Sequence, residues 1–121
     1  DLDDAVGFHF MKQPDVLTKV KKTKKNVSIT IEKFLSDFTE DDKGEDLENF
    51  ESLAMVLLDK DFNGQAFDMD EYYFAEDLLP KDEATEKISL PAISKYECGT
   101  KLMIIYVDIF GNEFKEVFEI K

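Results

Sequence analysis

The stretch KLMIIYVDIFGNEFKEVFEI, Lys101 to Ile120, decides the fold. Leu102 to Val107 is a continuous apolar run rich in Ile, Tyr and Val, of the length of a strand buried on both faces. Asp108 and the turn signal Gly111-Asn112 follow. Beyond them Phe114, Phe118 and Ile120 fall on one face of a period-two pattern and Lys115, Glu119 and Lys121 on the other, with Glu116 the exception. A helix would scatter these residues around its circumference. The pattern therefore predicts an antiparallel hairpin, Lys101 to Asp108 paired with Glu113 to Ile120.

Working backwards, LAMVLLDKDFNGQAF (Leu53 to Phe67) repeats the plan: an apolar run, an Asp, a turn signal at Asn63-Gly64, and resumed apolar residues. NVSITIEKF alternates Val27, Ile29 and Ile31 with Ser28, Thr30 and Glu32, the mark of a half-buried strand. KISL before Pro91 reads as a short strand, Tyr72 to Leu79 as a strand or one helical turn, and Gly99 as a turn position. Asp37 to Phe50 is densely acidic around Gly44 and reads as a long solvated loop, with room for a helical turn near Leu47. Short strands separated by turn signals predict an all-β chain, an antiparallel β-sandwich of immunoglobulin-like shape with a partly irregular N-terminal segment. The expected division is 1–26 as an arm or linker carrying the Lys-rich run KVKKTKK, and 27–121 as the sandwich.

Composition excludes several classes. The 121 residues hold one domain's worth of core, with 43% apolar content and 11 Phe. Asp and Glu number 28 against 15 basic residues, all Lys. Without Arg, the preferred bidentate reader of guanine and phosphate, and with net charge −13, a DNA-reading surface is not expected. Residues 1–26 carry six Lys and four Asp, net +2, leaving −15 for 27–121. No apolar run is long enough to span a bilayer, and no signal peptide opens the chain. The lone Cys98 fits a reducing cytoplasm. A catalytic thiol would want a base, and the only His, His9, is distant in sequence. The opening at Asp1 rather than Met suggests a piece of a longer polypeptide, and the two Phe of Gly7-Phe8-His9-Phe10 need burial on this domain or another.

One motif offers chemistry. Asp59, Asp61, Asn63 and Gly64 occupy positions 1, 3, 5 and 6 of an EF-hand calcium loop over 59–70. The second half departs from it: Ala66 replaces the β-branched residue at position 8, Phe67 cannot hold the bridging water at position 9, and Asp70 stands at position 12 with Glu71 one place late. The favoured expectation is a tight hairpin with positive φ at Asn63 and Gly64, its carboxylates Asp59, Asp61, Asp68 and Asp70 facing water. The alternative is a divergent calcium site using Asp59, Asp61, Asn63 and Asp70. No phosphate loop, zinc ligand set or nucleophile elbow is present.

DLDDAVGFHF, VSITIEKFLSDF, SLAMVLLDKDFNGQAFDMDEYYFAEDL and KLMIIYVDIFGNEFKEV, in that order, resemble the C-terminal region of adenine-specific DNA methyltransferases of type III restriction-modification systems. That family uses S-adenosylmethionine, with an Asp-Pro-Pro-Tyr type motif for the base and a Phe-x-Gly-x-Gly type motif for the cofactor. Neither occurs here, so the resemblance carries over no catalytic or cofactor residue. It implies a cytoplasmic, non-catalytic accessory module without a cofactor of its own, contacting protein (other domains of its chain or a second subunit) and DNA only through its parent enzyme. An immunoglobulin-like domain of a surface protein is the remaining alternative.

Overall fold

The computed structural model describes residues 15–35, 49–79 and 87–121. Along the chain run β1 (Asp15–Lys22), β2 (Asn26–Leu35), β3 (Leu53–Asp59), β4 (Glu71–Phe74), α1 (Ala75–Leu78), β5 (Ile88–Ser89), β6 (Ile93–Ser94), a 3₁₀ turn at Lys95–Glu97, β7 (Lys101–Asp108) and β8 (Glu113–Glu119). In the first sheet β2 pairs with β1 on one side and with β5 and β6 on the other; the second has the order β4-β3-β7-β8. Every pairing is antiparallel, and the two sheets pack face to face as an all-β sandwich.

The expected C-terminal hairpin forms, with Leu102 opposite Phe118 and Tyr106 opposite Phe114. Gly111 closes it at φ +88°, a backbone conformation that L side chains resist. In β2, Val27, Ile29 and Ile31 are buried as their alternation demands, yet Phe34 is buried as well, out of phase with them. A bulge reconciles the two. Leu17 faces Lys33 while Thr18 faces Ile31, so Glu32 is the extra residue and the strand changes face there.

The boundary expected at 26/27 is corrected. β1 pairs with β2 along its whole length, so the β-structure begins by Asp15 and the Lys-rich run forms the end of β1 and the hairpin turn. Alternation explains this: Val16, Thr18 and Val20 turn half-buried toward the second sheet, while Lys19 and Lys21 face solvent. Tyr72 to Leu79 supplies both a strand and a helical turn in succession. The acidic segment before Asn49, the helical turn near Leu47 and the Phe8/Phe10 pair lie outside the described residues.

Between the sheets Val27, Ile29, Ile31 and Phe34 meet Val56, Leu58, Leu102, Ile104 and Tyr106. Phe34 stacks obliquely on Tyr106 at 5.8 Å between ring centroids. Glu116, the exception in the β8 pattern, faces inward for a reason. Tyr106 is fully buried and donates its hydroxyl to Glu116 Oε1 at 2.6 Å. Its only proton committed, it accepts from Thr18 Oγ1 of β1 at 2.5 Å. Burial, and after it the bond to Glu116, push the phenol far above its ordinary range. Phe50, buried, holds a positive φ of 71°, a conformation costly for a bulky residue and retained where packing over-determines it.

Candidate functional site

The loop between β3 and β4 is not the expected tight turn. Strand pairing ends at Leu58 opposite Glu71, leaving 60–70 as a long loop in which Gly64, at φ +90°, has the positive φ and Asn63 does not. Nor does Asp59 face water, being 2% exposed. Its two oxygens accept from the backbone N–H groups of Asp61 (3.1 Å) and Asp68 (2.8 Å). Asp70 accepts from Lys60 N at 2.7 Å, and Asn63 Oδ1 from Gln65 N and Ala66 N. Asp61 lies against Gly99, where a Cβ would overlap its carboxylate. Three of the four candidate calcium ligands thus hold the loop's own amides. Among the described residues no three His, Cys, Asp or Glu gather in metal-binding geometry.

Asp108 repeats the device at the other end of the sheet. It is 2% exposed and accepts from Phe110 N and Asn112 N, while Asn112 Nδ2 donates to its second oxygen. A buried carboxylate that ends an apolar strand and gathers the amides of the following turn is the physical content of the shared sequence plan. Cys98 is 4% exposed; burial raises its thiol pKa, and Sγ donates weakly to Ser94 O. A thiol held protonated in this way is a poor nucleophile.

What sequence reasoning passed over is the outer face of the second sheet. The register places Phe74, Met55 and Val107 in one row across β4, β3 and β7, with Tyr72, Leu57 and Ile105 in the next. Met103 and Val117 continue a third across β7 and β8. Ile105 is only 4% exposed although it lies outside the core between the sheets, because its neighbours on this face crowd over it. Around it Tyr72, Phe74 and Val117 stand 53%, 44% and 47% exposed. The Tyr72 and Phe74 rings meet edge to face at 5.7 Å. At the Asp108 end a groove lined by Leu53, Ala54, Phe74, Ala75, Glu76 and Ile109 extends this surface. Lys115, opposite Ile105, and Glu113, opposite Val107, close the β8 side. The signal was in the sequence: LAMVLL and LMIIYV are apolar at every position, so neighbouring strands built from them must be apolar on both faces.

No protein-family model matches the chain, and no curated protein or solved structure matches it either. Among the described residues no helix is long and apolar enough to cross a membrane. The feature that stands out among the described residues is this surface of partly exposed aromatic and aliphatic side chains.

Proposed function

We propose that the chain is a non-catalytic protein-interaction module whose contact surface is the outer face of the β4-β3-β7-β8 sheet. The observation that carries this reading is the pair of apolar rows Phe74-Met55-Val107 and Tyr72-Leu57-Ile105 on that face, continued by Met103 and Val117. A contiguous apolar surface rimmed by polar groups is uncommon on a soluble chain without a partner, and aromatic and Met side chains are enriched at interface cores. The strand order supports an immunoglobulin-like assignment: two hairpin-paired strands with a short third in one sheet, and the four-strand arrangement of the partner sheet, correspond to A-B-E and C′-C-F-G. The wider setting, an accessory module of an adenine-specific DNA methyltransferase, rests on the resemblance of the quoted stretches alone. A reading frame lacking both methyltransferase motifs would remove that setting and leave the interaction surface in place.

Oxidative footprinting tests the surface itself. Met55, Met103 and Tyr72 are expected to be labelled readily in the purified 121-residue chain and protected in native extract, while Lys19 and Lys21 on the opposite face stay equally accessible to acylation in both. Equal labelling of the three residues in the two settings would end this reading.

A further inference from the structure

We infer that the occupant of this face is a basic amphipathic peptide segment from outside these 121 residues, its apolar side chains covering Tyr72, Phe74, Met55 and Leu57 and its Lys or Arg side chains meeting an acidic border along β4. The inference rests on the interaction reading above and adds the chemistry of the partner. β4 is an edge strand, and the run from Asp68 to Asp77 that contains it holds five acids and no Lys. Glu76 and Asp77 are exposed and follow directly after Phe74. The cation at the other end of β4, Lys60, pairs with Glu71 at 3.3 Å and with Glu97 at 3.8 Å, while Glu76 and Asp77 lie past the far end of the strand, after Phe74. Burial lowers the Lys60 pKa, but the bond to Glu71 and the charges of Glu71, Glu97 and Asp70 outweigh it, so the ammonium is held charged.

Charge discriminates among the occupants. A second copy brings −13 toward a face with an acidic rim. The chain's own remaining segments carry the same sign: 1–14 has three Asp and one Lys (−2), 36–48 seven acids and one Lys (−6), and 80–86 three acids and one Lys (−2). None complements the β4 border. The Lys-rich outer face of the first sheet, Lys19, Lys21 and Lys33 with Ser28 and Thr30, lacks the apolar surface that burial requires. A partner segment that supplies both apolar and basic side chains satisfies both features at once, gaining affinity from the apolar contact and orientation from the charges.

The test uses two synthetic peptides of equal length, one alternating Leu with Lys and the other Leu with Glu, titrated into the 121-residue chain and followed by side-chain NMR. The Lys peptide is expected to bind at least roughly tenfold more tightly, to shift the resonances of Met55, Leu57, Tyr72 and Phe74, and to weaken with added salt. Tyr72→Ser with Phe74→Ser should abolish this binding, and Glu76→Lys with Asp77→Lys should reverse the preference. Equal binding of the two peptides, binding of the Lys peptide that survives loss of both aromatics, or no binding by either peptide would each overturn the inference. So would preferential binding to uncharged lipid vesicles, since the occupant would then be a membrane surface. If native-extract protection of Met55 and Met103 persists while the peptide test fails, the interaction reading stands and only the basic character of the partner is lost.

Discussion

The two sheets of the sandwich present opposite outer faces. On the first, Leu17, Lys19 and Lys21 lie across from Lys33, Thr30 and Ser28, with Ser89 beyond Thr30, and ion pairs such as Lys19 with Glu32 (3.4 Å) lace the surface. On the second, the corresponding positions are Phe74, Met55, Val107, Tyr72, Leu57 and Ile105. Their turns differ in kind as well. The β1–β2 turn is closed by the exposed Thr23 hydroxyl, accepting from Asn26 N at 2.9 Å, whereas β3 and β7 end in buried carboxylates. The first sheet is built to meet water on its outer side, and the second is organised on both sides as though for burial.

Substitution on equivalent faces gives the largest contrast. Ile105→Asp on the outer side of the second sheet is expected to destabilise the fold by about 3 kcal/mol or more, an unpaired carboxylate entering a site now 4% exposed. Ser28→Asp on the outer side of the first sheet should change stability by about 0.5 kcal/mol or less. Urea titration of both variants measures the difference, and equal losses would erase the asymmetry between the faces.

The turns give the next contrast. Asp59→Ala and Asp108→Ala each orphan amides around a buried position and should cost about 1–3 kcal/mol, against a few tenths for Thr23→Ala, whose amide neighbours reach water. Thermal midpoints of the three variants rank them, and a Thr23 effect as large as that of Asp108 would refute the distinction.

Tyr106 joins the sheets and provides the smallest effect at neutral pH. Its neutral form is favoured in the folded chain, so the stabilisation is complete below the unfolded phenol value of 10.0 and declines as pH rises through the alkaline range. Lys60 and Tyr73, raised in the same direction, add to the decline. Above that value the Tyr106 contribution falls by about 1.4 kcal/mol per pH unit, and Tyr106→Phe should flatten the slope of stability against pH accordingly. Denaturant midpoints collected across the alkaline range decide whether the phenol is the group responsible.

What the sequence revealed, and what it hid, follows from the same contrast. Alternation exposed β2 and β8 because one side of each meets water, and the pairing of β7 with β8 followed from the turn signal between them. Membership of β1 was masked by its Lys residues, since the inward Val16, Thr18 and Val20 form a weak pattern that β2 completes. The burial of Asp59 left no periodic trace: a carboxylate satisfied by backbone amides looks, in sequence, like one that faces solvent or a metal ion. A strand apolar at every position marks both faces as suited to burial but cannot say whether the chain itself supplies the cover. For the outer face around Ile105 the strand register assembles the apolar surface, which no single segment of sequence displays.

The central position of β3 also governs the order in which the polypeptide can mature during synthesis. Its neighbours are β4, close behind it, and β7, which is translated only after the intervening segment from Lys60 to Thr100 has been made. At ordinary translation speeds, on the order of 5 to 20 residues per second, β7 begins to emerge about 2 to 8 seconds after LAMVLL has been made. Carboxylates are dense on both sides of that run, in Asp37 to Glu51 and Asp59 to Asp77, the placement by which charged flanking residues oppose association between like apolar segments before their strands are paired.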